Sequence, residues 1–131
     1  MVVGYFWHIS EIHYHPTYWT EGISCHTDPG HVSTLGRFGH HFCDPPWTLV
    51  EEALDEMVRR KADPDFIVWT GDTSYHFSRE QRSLAEAVDV IRNVSEAIAV
   101  RFPGMAVIPS IGNNDFVPKN LAGVKHSQQY S

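Results

Sequence analysis

Met105–Phe116 reads MAVIPSIGNNDF. An apolar run of strand type follows a helix stop at Pro103-Gly104 and ends at Gly112 in two amides and a carboxylate, Asn113, Asn114 and Asp115. A strand entered from a helix is the mark of an alternating chain, and the elements upstream keep the alternation. VVGYFWHIS (2–10) and FIVWTGD (66–72) are further strand-type runs rich in β-branched and aromatic residues. Between them, PPWTLVEEALDEMVRRKADP (45–64) has helical spacing, with Trp47, Val50, Leu54, Met57 and Val58 on one face. Thr48 and Glu51 have the spacing of a capping box, Pro45 and Pro46 fit the first turn, and Asp63-Pro64 ends the helix. SREQRSLAEAVDVIRNVSEAIAVRF (78–102) predicts a second amphipathic helix, with Leu84, Val88, Ile91, Val94, Ile98 and Phe102 facing the core.

The order is therefore β-loop-α-β-α-β, which implies an α/β class with a mainly parallel sheet. Residues 13–44 form a loop-rich segment, 117–131 a polar tail, and the whole of 1–131 one domain. If the strands are laid down progressively, right-handed crossovers put both helices on one side of the sheet. FIVW and MAVI are apolar on both faces, so the other side needs a partner: a second sheet, a second copy or further chain.

Composition narrows the function classes. With 131 residues, 42% hydrophobic and 20% charged, the chain is the size of one globular domain without a disorder signature. A net charge of -6 with only 10 scattered Lys and Arg excludes a nucleic-acid polymer as the expected partner. No apolar run is long enough for a transmembrane segment. The opening MVVGYFW lacks a basic leader and a small-residue cleavage site, so it reads as a strand and not as a signal peptide. Seven of the nine histidines, His8, His13, His15, His26, His31, His40 and His41, crowd into the first 41 residues, a hint of metal chemistry.

The three strand exits carry matching chemistry. Glu11-Ile12-His13 follow the first strand, Gly71-Asp72 the second and Gly112-Asn113-Asn114-Asp115 the third. In an open parallel sheet, ligands bind beyond the carboxyl ends of the strands. Carboxylate, imidazole and amide oxygen together suit a divalent metal such as zinc, manganese or iron better than a nucleophilic triad. Taken singly, each exit is also a plausible capped turn. Cys25 and Cys43 are open to three readings at this point: free thiols, a disulfide, or a separate zinc site with His26, His40 and His41, against which stands the lack of Cys-x-x-Cys spacing. Asn93-Val94-Ser95 is a glycosylation sequon.

FWHISEIHYHPTYW (6–19), GRFGHHFCDPPWTLVEEAL (36–54), PDFIVWTGDTSYH (64–76) and IPSIGNNDFVPKN (108–120) together span nearly the whole chain. In this order they resemble the calcineurin-like metallophosphoesterases, and more closely the acid sphingomyelinase-like phosphodiesterases. That family spells its site Asp-x-His, Gly-Asp and Gly-Asn-His-Asp or Gly-Asn-His-Glu at successive strand ends. The resemblance implies a metal-dependent phosphoric diester hydrolase that uses a dinuclear site, two zinc ions, to activate water. It assigns His13 and Asn113 as metal ligands, Asp72 as the carboxylate bridging metals about 3.5 to 4 Å apart, and His76 as a contact to substrate phosphate. It also implies a Cys25–Cys43 disulfide, an extracellular or lysosomal setting, and a phosphodiester or nucleotide-type substrate, with a phospholipid within the same class.

The chain departs from the pattern in three places. Glu11 stands where the family has Asp, which moves the ligand carboxylate ~1.5 Å further from the backbone. Asn114 stands where the family has a catalytic His, and an amide cannot donate a proton as imidazolium does, a loss worth about 100-fold to 10,000-fold. The match covers the N-terminal portion of the family domain, whose second half supplies further ligands including a Gly-His-x-His motif. From these departures comes the alternative function: a shortened, catalytically inactive relative that acts as a binding or regulatory module.

Overall fold

The computed structural model describes residues 3–19, 35–41, 43–76 and 83–117. Five elements follow in the expected alternation: β1 (Phe6–Ile9), α1 (Trp47–Arg60), β2 (Phe66–Trp69), α2 (Leu84–Arg101) and β3 (Val107–Pro109). The sheet is parallel with order β1-β2-β3. Its register pairs Phe6 with Phe66 and Ile9 with Trp69, then Ile67 with Val107 and Trp69 with Pro109. The alternating α/β order with a parallel sheet expected from the sequence is thus present.

Strand alternation sends Trp7, Ile9, Ile67, Trp69 and Val107 to one face, where they meet Val50 and Leu54 of α1 and Val90, Val94 and Ile98 of α2. Ile67 and Val94 are fully buried at the centre of this core. The opposite face carries Phe6 stacked on Phe66 at 5.1 Å and Ile108, and among the described residues it is open, with Phe6 and Ile108 both 56% exposed. α1 and α2 pack on each other, and Arg101 Nε donates to Asp55 Oδ1 at 2.6 Å across that contact. The guanidinium holds the Asp55 carboxyl below its ordinary range.

Two helix details differ from the sequence expectation. Thr48 and Glu51 make no capping box: the N-cap of α1 is Pro46, without a side-chain cap, and Thr48 Oγ1 donates instead to the Arg37 carbonyl. Glu51 turns toward Arg101, 4.0 Å away. Tertiary partners have outcompeted the local motif. In α2 the buried residues are Ala87, Val90, Val94, Ala97 and Ile98, while Leu84 and Val88 are exposed. The helix carries two overlapping apolar stripes, and the one with small alanines lets it sit close on its neighbours.

The start of α2 is well fixed. Ser83 Oγ accepts from the Glu86 N–H at 3.2 Å, and Glu86 Oε2 accepts from the Ser83 N–H at 2.7 Å, a complete capping box. We expect Ser83→Ala to lower stability by about 1 kcal/mol in a urea melt, with Ser83→Asp close to wild type. Residues 78–82, predicted as part of this helix, lie outside the described residues, as do the tail beyond Val117 and residues 20–34 and 42 of the loop-rich segment.

Candidate metal centre

The site is built by strand pairing that continues past the strand ends. The N–H groups of Glu11, His13 and Tyr14 donate to the carbonyls of Gly71, Asp72 and Thr73 at 3.2, 3.1 and 2.8 Å, so the exits of β1 and β2 run side by side. Glu11, His13 and Asp72 are thereby brought together, each offering a ligand atom within 4.8 Å of the others. All three adopt left-handed backbone, with φ of 55°, 47° and 52°, unusual for residues other than glycine. Strain of this kind, about 1–2 kcal/mol per residue, collects where the geometry serves a site.

The β3 exit closes against them. Asp115 Oδ1 accepts from the N–H groups of Thr73 and Ser74, both at 2.9 Å, and Oδ2 accepts from the Gly112 N–H at 3.0 Å. This buried carboxylate ties the third exit to the second. Asn114, also buried, donates its N–H to Asp72 Oδ1 at 2.8 Å and Nδ2 to Asp72 Oδ2 at 3.0 Å. Asn114 therefore grips the Asp72 carboxylate through both of its oxygens. The approach requires glycine: a Cβ on Gly112 would lie 2.2 Å from Asp72 Oδ1.

His13 is oriented by its surroundings. Nδ1 lies 3.0 Å from the Ser74 carbonyl, which can only accept, so that nitrogen carries the proton and Nε2 faces Glu11 Oε2 at 3.0 Å. His76 stacks on His13 with ring centroids 4.1 Å apart. Asp44, which sequence reasoning did not single out, meets His76, and these two with His13 form a second group of ligand atoms within 4.8 Å. Its signal was present only as the carboxylate before Pro45-Pro46, 32 residues from His76. Next to His13, burial raises the Tyr14 phenol above its ordinary range, with nearby Glu51 adding to the effect.

Asn113 is exposed at the turn after Gly112. Asn93 is exposed on α2, and the Ser95 hydroxyl of its sequon donates to the Ile91 carbonyl at 2.8 Å. Cys43 lies between the turn at His41 and Asp44, whereas Cys25 lies outside the described residues.

Comparison with known proteins matches this sequence to a family. The family model described as calcineurin-like phosphoesterase matches residues 4–130. A rat protein named cyclic GMP-AMP phosphodiesterase SMPDL3A is 31% identical over 133 residues, covering 98% of this chain and 30% of its own. Mouse acid sphingomyelinase-like phosphodiesterase 3b is 32% identical over 133 residues, covering 98% of this chain and 29% of its own. Sphingomyelinase phosphodiesterase C of Dictyostelium discoideum is 32% identical over 131 residues, with 92% and 29% covered. The chain thus spans about 30% of the length of the curated relatives it matches. With a match to the family model over residues 4–130 and a parallel sheet of the expected order, the chain belongs to the calcineurin-like phosphoesterase family.

Proposed function

We propose that this chain carries the N-terminal ligand set of a metal-dependent phosphoric diester hydrolase of the acid sphingomyelinase-like type. One observation carries the proposal: the 3.0 Å approach of His13 Nε2 to Glu11 Oε2 with Nδ1 already committed to Ser74. Two lone pairs at that distance need a proton or a cation between them, and the nearby Asp72 supplies a second carboxylate for a divalent ion. The donor set of carboxylates and imidazole fits zinc, with Glu11, His13, Asp72 and Asn113 as the ligands from this chain. A pair of such ions, when bound, lowers the pKa of a water and withdraws charge from phosphoryl oxygens.

The chain's own residues then hold and orient. Asp72 would be the carboxylate shared between two ions, and its direction is fixed by the two donors of Asn114. His76 meets a substrate phosphoryl oxygen, beside His13. The names of the relatives, a cyclic GMP-AMP phosphodiesterase and a sphingomyelinase-like phosphodiesterase, support a nucleotide or lipid phosphodiester as the substrate class. A Cys25–Cys43 disulfide, glycosylation at Asn93 and an extracellular or lysosomal setting belong to the same reading. Among the described residues no helix is long and apolar enough to cross a membrane.

The native-length protein, loaded with zinc, is expected to hydrolyse bis(4-nitrophenyl) phosphate and to lose this activity in EDTA. Retained activity after complete metal removal would overturn the proposal. A second reading, a catalytically inactive relative that binds metal or ligand, is favoured by Asn114, whose amide supplies no proton to a leaving group. It predicts that an alkyl phosphodiester is not turned over while metal is still bound. An intermediate outcome is diagnostic too: an aryl ester cleaved while an alkyl ester is not identifies the missing acid, since only the alkoxide needs the proton.

A further inference from the structure

The contacts of Asp44 point to a positioning role that the strand-exit motifs do not include. Asp44 Oδ2 accepts from the His76 backbone N–H at 2.6 Å, and Oδ1 lies 2.8 Å from His76 Nδ1. One carboxylate thus holds both the main chain and the ring of a residue 32 positions away. The Asp44 side chain is 11% exposed and that of His76 39%, so the grip is sheltered while the ring remains accessible. His13 closes one ring face at 4.1 Å.

We propose that Asp44 sets the tautomer and direction of His76: a carboxylate can only accept, so Nδ1 carries the proton and the ring's ligand chemistry falls to Nε2. The inference rests on the phosphodiesterase reading, in which His76 meets a phosphoryl oxygen. The same three residues, His13, Asp44 and His76, also meet the distance requirement for a metal site. Their hydrogen bonds argue for positioning instead. Both Asp44 oxygens accept from His76, and the one unprotonated nitrogen of His13, Nε2, faces Glu11 in the group proposed for the metal. A second ion here would compete for that nitrogen, whereas the positioning role uses the contacts as they stand.

The test uses native-length protein with bis(4-nitrophenyl) phosphate as substrate. Asp44→Asn keeps the volume but puts an amide where two donors need acceptors, and it is expected to lower kcat about 100-fold, the scale of a misplaced reacting group, with metal content unchanged. Asp44→Glu, which keeps both acceptor oxygens, should retain more activity and guards against a folding failure of the amide variant. In His76→Ala protein, Asp44→Asn should add no further loss. The spectroscopic signature is the Nδ1-protonated His76 signal in a ¹⁵N-imidazole correlation spectrum, present in the wild type and lost in Asp44→Asn. An unchanged tautomer overturns the inference, and so does a fall in bound metal. If the wild type hydrolyses no phosphodiester, the phosphodiesterase reading fails, while the tautomer measurement still decides the part played by Asp44.

Discussion

Asp72→Ala is expected to abolish phosphodiester turnover in the native-length protein, a loss of at least about 1,000-fold, at the upper end of what a single electrostatic group contributes. The residue is 6% exposed, stands at the β2 exit with φ of 52°, and is the carboxylate that Asn114 holds through two hydrogen bonds. Removing it takes away the charge on which the proposed metal pair depends. It also leaves the Asn114 N–H and Nδ2 buried without their acceptor, at about 1–3 kcal/mol each. A metal-loaded assay and a urea melt on the same preparation separate the two effects. Asp72→Asn sharpens the comparison because it keeps one oxygen for the Asn114 N–H while losing the charge. Turnover within a few-fold of wild type in Asp72→Ala would remove Asp72 from the site.

The largest expected effect on folding is at Gly112. A Cβ there would lie 2.2 Å from Asp72 Oδ1 and 2.3 Å from the Asp72 backbone nitrogen. Backbone and a buried carboxylate cannot swing aside as the end of a flexible side chain can, so Gly112→Ala is expected to destabilise by about 3 kcal/mol or more. Gly71 faces Gly112 across the same gap, with φ of +85° and a hypothetical Cβ 2.3 Å from the Gly112 nitrogen. Gly104 is the control: its φ is +73°, yet nothing lies within 4 Å of an added Cβ. Gly104→Ala should therefore cost only the backbone strain, about 1 kcal/mol. Equal losses at Gly104 and Gly112 in denaturant melts would show that conformation alone, and not close packing of the two exits, fixes these glycines.

Periodicity made the alternation legible, because a strand run and a helical stripe are local patterns. The exits at Glu11-Ile12-His13, Gly71-Asp72 and Gly112 to Asp115 were legible as a group once the strands were taken as parallel. What escaped is non-local. Asp44 reaches His76 across 32 residues, and nothing in FCDPPW announces that contact. Asp115 could be read as a turn residue, yet it accepts three backbone N–H groups from two exits. Left-handed backbone at Glu11, His13 and Asp72 carries no sequence signal, since such conformations ordinarily advertise themselves as Gly or Asn. The first half of the buried stripe of α2 escaped for another reason: Leu84 and Val88 are as apolar as Val90, and only packing chooses between them, whereas Val94, Ile98 and Phe102 are buried as expected.

The central claim is that the exits of β1 and β2 hold a divalent metal ion through Glu11, His13 and Asp72. Titration of the metal-free native-length protein with Co²⁺, followed by visible absorption, tests it without reference to activity. A saturable ligand-field band that is lost in both Asp72→Ala and His13→Ala is the predicted result. No band in the wild type, or a band that survives both substitutions, would contradict the claim.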